Sequence, residues 1–551
     1  MTGRPDVLAV PDVTVVVAVY NTMPALTQCL DSLVGQSIGL DRIEIIAVDD
    51  GSTDGSGKEL DRFADRFPGT FTVIHQENSG GPAGPNNVAL AKATGRYVFF
   101  VGSDDYLGPE ALKRMIDMAD ANDSDVVLGK MVAVGDRSIP RAVFRSTEAN
   151  IALIGSGALY AISNTKMYKR ALIEEHNIRY AEDLPVSCDM PFTLEMYVRA
   201  KTVSVVADYD CYHAVRRTDD SNITYRARFE NRLKVCAYAL DKLHDLAGPG
   251  DLYDAFAIRL LKVDLAWIFG ENYLAMTPER RAECVRATGE FMEKYYGASF
   301  DSMEHRLTVP ERLRFRWVFA GRVDELTELV RMDTAGKMPP TVLEDNHAYA
   351  RFPGFRDSLC TLPDSSFALK GTVVGRLGSG TELQSADWYQ EGDGFALDVV
   401  VRVPVLGDTD SLYVRLASGR MPASADKAGA RRLDKGEQLP APVGDFTRTP
   451  APDGRATLIT ARIPLQRRQA QLGLRVSVDA GGWTYEIPVR GKGHPMPLAR
   501  RWGADDPYRV AARVNPKGRM VISTGPLHPA KTSLGSRLRS RLTGAKRSKR
   551  K

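Results

Sequence analysis

The chain has no long apolar run. Its most hydrophobic stretches, VTVVVAV and YVFFV, are strand-sized and far short of the ~20 residues that cross a bilayer. The opening segment, MTGRPDVLAVPD, holds no apolar core of signal-peptide length, so the catalytic part is expected to stay in the cytosol. Cysteine is scarce. Cys29, Cys188, Cys211, Cys236, Cys284 and Cys360 are scattered with no CxxC spacing, which argues against a zinc cluster and against a disulfide framework. Neither an internal repeat nor a helix-turn-helix or aromatic-interleaved basic pattern is present, and no nucleic-acid partner is expected.

What is present is the composition of a globular protein, 43% hydrophobic and 26% charged over 551 residues, a length that suggests two to four domains. Residues 1–12 read as a leader. From 13 to about 225, apolar strands alternate with helical stretches at the spacing of βαβ units in a parallel sheet. Residues 226–340 turn helical, with apolar residues at intervals of three and four in RFENRLKVCAYALDKLHDL and DAFAIRLLKVDLAWIFGENYL. Pro339-Pro340 marks a break. Over 360–525, short alternating segments separated by Gly, Pro and Asp turns predict an antiparallel β-sandwich of immunoglobulin-like type. They are FALKGTVVGRL, FALDVVVRVPV, SLYVRLAS, ATLITARIPL, LGLRVSVD, WTYEIPVR, YRVAARV and RMVIST.

The chemistry gathers where the first strands end. Tyr97 to Val101 runs into Gly102, Ser103, Asp104 and Asp105, which puts acids at the carboxyl end of a strand, where open α/β sheets bind ligands. A carboxylate facing a nucleotide diphosphate would be repelled, so it serves through a divalent cation bridging it to the phosphates. VTVVVAVYNT ends on Ala18, Val19, Tyr20 and Asn21. IEIIAVDDGSTDGS ends on Asp49 and Asp50 in a Gly/Ser turn, and ENSGGPAGPNNVALAKATG is a Gly/Pro loop opening a helix.

These segments resemble the family 2 nucleotide-sugar glycosyltransferases of the GT-A fold, a Rossmann-like α/β domain. Within that family, NSGGPAGPNNVAL, VGSDDY, NTKMYKRALI and SCDMPFTLEMY, followed by a helical segment and a β-rich region, resemble the wall teichoic acid enzymes that place N-acetylglucosamine on poly(ribitol phosphate). The resemblance implies an inverting transferase using a UDP-sugar, UDP-N-acetylglucosamine, with Mn²⁺ or Mg²⁺. It implies that Asp104, the last acid of the DxD motif, ligates the metal beside Ser103, while Gly102 replaces the motif's first acid and leaves compensation to Asp105 or a more distant group. His213 is a candidate extra ligand. Asp50 matches the acid that accepts the uracil ring N–H, with Asp49 capping the turn. Ala18 and Tyr20 lie beside the nucleotide, Asn78 matches a donor contact, and Asn86 stands where relatives carry arginine. Asp189 matches the general base, opening a helix and preceded by Cys188 where the family has glutamate.

From Lys531 to Lys551 there are nine Lys/Arg and no acid, with Leu534, Leu538 and Leu542 spaced along one helical face. That tail predicts contact with an anionic lipid surface or an anionic polymer, hence a cytoplasmic enzyme peripheral to the inner face of the membrane. Relatives of this architecture imply a homo-oligomer, a trimer through the C-terminal β region. Two other functions fit the same motifs: a transferase for another capsular or surface glycan, and a catalytically impaired scaffold that binds glycan, which Gly102 and Cys188 favour.

Overall fold

Alternating valines make the first strand, and their alternation decides which helices cover it. In the computed structural model, β1 (Val13–Val19) is buried on both faces, as expected of a central strand in a covered parallel sheet. It lies between β2 (Ile43–Asp49) and β4 (Tyr97–Gly102), both parallel to it, with β3 (Phe71–His75) beyond β2. Val13, Val15, Val17 and Val19 face a core closed by Leu26, Leu30 and Leu33 of α1 (Ala25–Val34) and Leu60 and Phe63 of α2 (Ser56–Arg66). Leu112, Met115 and Ile116 of α4 (Ala111–Asn122) complete it; α3 (Ala83–Leu90) follows the Gly/Pro loop.

The structure describes residues 10–184, 186–216, 228–337, 339–358, 362–404, 411–418, 430–433, 443–453 and 456–528. Most of the expected leader, the end of the expected catalytic segment at 217–225, Cys360 and the basic tail lie outside the described residues. The chain forms two compact units, residues up to Leu307 with Val318–Val323, and Thr308–Trp317 with Asp324 onward.

The first sheet carries the expected parallel βαβ strands and is mixed beyond them. After β4 it continues through β8 (Met167–Lys169), β6 (Val126–Gly129) and β9 (Val203–Val206), and β8 is antiparallel to both β4 and β6. Three residues, MYK, are too few to show a strand period in the sequence. The reversal has a consequence for the site: the residues just before β8 lie at the carboxyl edge of β4. A second small sheet joins β5 (Tyr106–Leu107), β10 (Tyr212–Val215) and β7 (Met131–Val134). Over the face of β4 opposite α1, Phe100, Tyr168, Tyr180 and Phe192 pack edge-on and stacked, with ring centroids 4.3 to 6.1 Å apart. Phe192 comes from α6 (Asp189–Arg199), which follows the short helix α5 (Arg170–Glu175).

The helical segment follows. The helix Phe229–Ala247 reaches α6 through Lys242 and Glu195, 2.5 Å apart. Asp251–Leu260 continues into a π turn at Leu261–Leu265, where buried Asp264 pairs with Arg232 and Arg259. No helix among the described residues is long and apolar enough to cross a membrane.

In the second unit two antiparallel sheets share one core, as the alternating segments predicted. One comprises Glu382–Glu391, Gly394–Pro404, Ala456–Pro464 and Asp445–Pro450. The other is built around Ala470–Ala480, with Trp483–Pro488, Met520–Pro526, Tyr508–Val514, Ser411–Ser418 and two short edge strands. Leu397, Val399, Val401, Ile459, Val476, Val478, Ile487 and Ile522 interdigitate between them. FALKGTVVGRL departs from expectation, because Val373–Gly380 is a helix. Thr372 caps it by accepting the Gly375 N–H at 3.1 Å, and Val373 and Leu377, four apart, enter the sandwich core.

Leu397 is fully buried and lies opposite Trp388 and Ile463 on the neighbouring strands. Leu397→Ala is expected to lower the stability of this unit by about 2–5 kcal/mol, the range for cavity-forming substitutions, as measured by chemical denaturation.

Candidate functional site

Strand register places the candidate residues in one row. Val19 pairs with Asp49, Ala18 with Gly102, and Asp49 with His75, so the loops after β1, β2, β3 and β4 leave the sheet at the same edge. Ala18 is half-buried there and Tyr20 is 51% exposed at the rim. The DGSTDGS turn is stitched to the loop after β1. Ser52 Oγ accepts the Asn21 N–H at 3.1 Å, Asn21 Oδ1 accepts the Thr53 N–H at 2.8 Å, and Asp54 accepts the Met23 N–H at 2.8 Å. Hydroxyls and short acids suit this work because they mimic backbone turns.

Asp50 is buried, and its carboxylate grips the loop that follows β3. It accepts Gln76 Nε2 at 2.6 Å, the Ser79 N–H at 3.0 Å and the Ser79 hydroxyl at 3.0 Å. A carboxylate offers about four acceptor positions, so these donors take most of its capacity. Asn78 is exposed; its amide donates to the Asp50 carbonyl at 3.0 Å and its Oδ1 accepts the Gly80 N–H at 3.0 Å. Asn86 is buried on α3, and its neighbour Asn87 exchanges two hydrogen bonds with the Tyr180 backbone at 2.9 and 3.0 Å. Asp49 accepts the Ser52 N–H at 3.0 Å and contacts His75 Nδ1 at 2.9 Å, while His75 Nε2 meets Asp61 of α2 at 3.0 Å.

At the end of β4, Ser103 is buried and Asp104 half-buried. Asp105 turns to the small sheet, where its carboxylate accepts the Tyr212 hydroxyl at 2.6 Å and the Val215 N–H at 2.7 Å. Burial, then the neighbouring Asp104 charge, pushes Asp105 up to about 6. A Cβ added to Gly102 would meet Asp105 Oδ2 at 2.9 Å, Asp104 Oδ1 at 3.2 Å and the Tyr212 hydroxyl at 3.3 Å. A side chain at 102 would therefore require these groups to shift. His213 pairs with Tyr106, two residues after Asp104, and stacks on that ring at 4.4 Å between centroids. Burial holds its imidazole below the ordinary value. Among the described residues no three His, Cys, Asp or Glu side chains come together as a metal site.

Asp189 starts α6 and is half-buried. Burial raises its carboxyl, opposed by the Lys166 charge and by the backbone N–H groups of Asp189, Asn164 and Met190. Because Asn164 lies just before β8, Asp189 sits at the same sheet edge as Gly102 and Asp104. Cys188 is buried, and burial keeps its thiol protonated. Lys166, 3% exposed, is pushed down to about 7 by burial.

Residues 14–176 match the model of glycosyl transferase family 2, and residues 230–330 match the glycosyl transferase TarS linker domain. Residues 14–176 form a family 2 glycosyltransferase domain. The chain is 32% identical over 286 residues to a poly(ribitol-phosphate) beta-glucosyltransferase of Bacillus spizizenii, covering 51% of this chain and 44% of that one. It is 36% identical over 279 residues to the poly(ribitol-phosphate) beta-N-acetylglucosaminyltransferase TarS of Staphylococcus aureus, covering 50% and 45%. The match thus spans less than half the length of these curated relatives. The structure is also similar to residues 1–349 of S. aureus TarS in complex with UDP-GlcNAc, with TM-score 0.55 and 26% identity over 65% of this chain and 99% of that one.

Sequence reasoning missed Gln76, Ser79, His75, Lys166 and Tyr212 as parts of this site. Gln76 and His75 carried a signal, as polar residues placed directly after a strand that ends beside two acids.

His75 joins β3 to Asp49 and α2. Its hydrogen bonds to Asp49 and then Asp61 raise its pKa above 6.5. A raised histidine contributes stability that is fully present below 6.5 and is lost as pH rises through the elevated folded value. The melting temperature of the wild type relative to His75→Gln is therefore expected to be highest in mild acid and to converge in alkali, as a pH series of thermal unfolding would show.

Proposed function

We propose that the protein is an inverting glycosyltransferase that moves N-acetylglucosamine from a UDP-sugar to a hydroxyl of a polyol-phosphate polymer of the teichoic acid type. The observation that carries this reading is the placing of Asp50 and Asp104, within the segment that matches glycosyl transferase family 2, at the sheet edge beside which Asp189 starts α6. Inverting transfer needs a base for the acceptor hydroxyl, a fixed donor and a neutralised diphosphate. Asp189 fits the base. It is a carboxylate at a helix N-terminus whose proton affinity is raised by burial. The loop gripped by Asp50 fits the base-binding side of the nucleotide.

The donor choice is supported by the likeness to TarS with UDP-GlcNAc; glucose, named for the Bacillus relative, is the competing sugar. Asp104, and His213 on the strand paired with Tyr106, fit a divalent cation shared with the diphosphate rather than one held by protein alone, since the described residues offer no cluster of three donors. Bound there, Mn²⁺ or Mg²⁺ would neutralise charge on the leaving diphosphate. A seat at the inner membrane face through the basic tail, and a trimer through the C-terminal sheets, complete the proposal; the tail's cations and leucine stripe support the first, and the resemblance supports the second.

Two substitutions test the assignment. Asp104→Ala is expected to abolish the part of the UDP thermal shift that depends on Mn²⁺. An unchanged metal-dependent shift removes Asp104 from the ion site. Asp189→Asn keeps the shape of the carboxylate without its basicity, so UDP-GlcNAc binding is expected to persist while transfer to poly(ribitol phosphate) falls by about 10²-fold or more. UDP release across a panel of UDP-sugars measures both activity and donor preference. Absence of release with every donor would favour the impaired scaffold.

A further inference from the structure

One edge of the β-rich unit carries positive charge that the fold leaves unneutralised. Between Ile487 and His528 the chain holds eight Lys and Arg but two acids, Asp505 and Asp506, and Asp506 is met by Arg467 at 3.7 Å. Trp502, Val510, Met520 and Ile522 enter the sandwich core from the strands Arg500–Trp502, Tyr508–Val514 and Met520–Pro526, so the alternate positions point outward. Arg501, Arg509 and Arg513 stand there exposed, with exposed Arg519 just before the last strand. Arg501 lies directly opposite Arg509, and Arg519 opposite Arg490, which is bridged to Glu382 on its other side. Like charges facing each other across antiparallel strands are destabilising. Among the described residues no acid forms an ion pair with any of these five arginines. Elsewhere the same sheet does neutralise its cations: Arg415 and Arg475 meet buried Glu486 at 2.7 and 3.8 Å.

We propose that this arginine face binds the phosphodiester backbone of the anionic acceptor polymer and holds it against the enzyme during transfer. For the identity of the polymer, the proposal rests on the glycosyl-transfer reading given above. A guanidinium is a planar fork that pairs bidentately with phosphate oxygens, and a polyol-phosphate chain carries a negative charge in every repeat. Phosphates seated between the opposed arginines relieve their repulsion. The outward positions among the arginines are small: Ala511 lies opposite Ser523, and Arg509 opposite Gly525. A flexible chain can therefore lie flat on the sheet. Nucleic-acid bases find no stacking platform, because Trp502 and Tyr508 turn to the core. A lipid surface finds no apolar anchor, because Val521, the large apolar residue among the outward positions of these strands, is only 9% exposed. Binding one stretch of a long polymer raises the effective concentration of its remaining hydroxyls.

The experiment measures binding of the full chain to immobilised poly(ribitol phosphate) across a salt series. A face variant combines Arg501→Gln, Arg509→Gln and Arg513→Gln, which keep the side-chain stems and remove three charges. A control removes three charges from the tail, with Arg537→Gln, Arg539→Gln and Arg541→Gln. The face variant is expected to bind roughly tenfold or more weakly than wild type at low salt and to converge with it at high salt. Lysine at the same three positions is expected to restore most of the binding, and this decides the case if the glutamine variant also melts lower. Wild-type affinity in the face variant, an equal loss in the tail control, or no recovery with lysine overturns the proposal. Tighter binding of the wild type through this face to single-stranded DNA or to anionic vesicles overturns it as well, because the occupant is then different. In transfer assays the face variant is expected to raise KM for the polymer with kcat near wild type. A wild type that binds the polymer through this face yet transfers no sugar overturns the functional reading and leaves the surface standing; transfer indifferent to the face, with no loss of binding, does the reverse.

Discussion

The register of β1 between two parallel neighbours is the constraint on which the site depends. Backbone hydrogen bonding fixes Val19 opposite Asp49 and Ala18 opposite Gly102. Because parallel strands all leave the sheet in the same direction, their polar ends are delivered to one edge without any side chain having to reach for another. The antiparallel β8 extends this principle rather than breaking it. Running the other way, it brings its beginning instead of its end to that edge, and with it the segment that carries Asn164 and Lys166 and fastens α6. A strand of three residues thus connects the nucleotide side of the site to the proposed base.

Gathering so many carboxylates in one place carries an electrostatic cost, and the fold meets it acid by acid. Asp49 leans on His75. Asp50 is satisfied by an amide, a backbone N–H and a hydroxyl. Asp105 is turned away into the small sheet by Tyr212 and Val215, and at Asp189 the raising effect of burial is opposed by the charge of Lys166. Asp49, Asp50 and Asp105 thus each have their own local hydrogen-bond partners. This arrangement separates acids that build the site from those proposed to act in it. Asp105, adjacent in sequence to the motif acid, is held in the small sheet by Tyr212 and Val215.

Much of this was legible in the sequence, for identifiable reasons. Strands such as VTVVVAV are buried on both faces and read as unbroken apolar runs, and the sandwich strands alternate cleanly because each has one face in the core. The VDDGSTDGS and VGSDDY turns were recognisable because turn chemistry is local. What stayed hidden depends on contacts distant in sequence. Tyr212 lies 107 residues from the acid it holds, and nothing in MYK shows that it inserts antiparallel. Val373–Gly380 misled because its apolar residues also suit a strand, and the Thr372 cap decides otherwise. The burial of Lys166 was hidden for a different reason: lysines are mostly exposed, and only the packing of its segment against α6 places this one inside.

Gly102 ties these threads together. Read as a motif, it is a lost acid; in three dimensions it is a position where a side chain would press on Asp105, Asp104 and the Tyr212 hydroxyl at once. The same hydroxyl accepts the Gly102 N–H at 3.0 Å while donating to Asp105, so strand β4, Asp105 and the small sheet carrying His213 are joined through one phenol. An acid at 102 would have to displace that lock. The glycine is therefore consistent with a site that has exchanged one negative charge for a rigid junction between its two sheets. Under the proposed mechanism, fewer protein charges then remain to attract a cation in advance, and the ion's affinity would depend more on the diphosphate arriving with it.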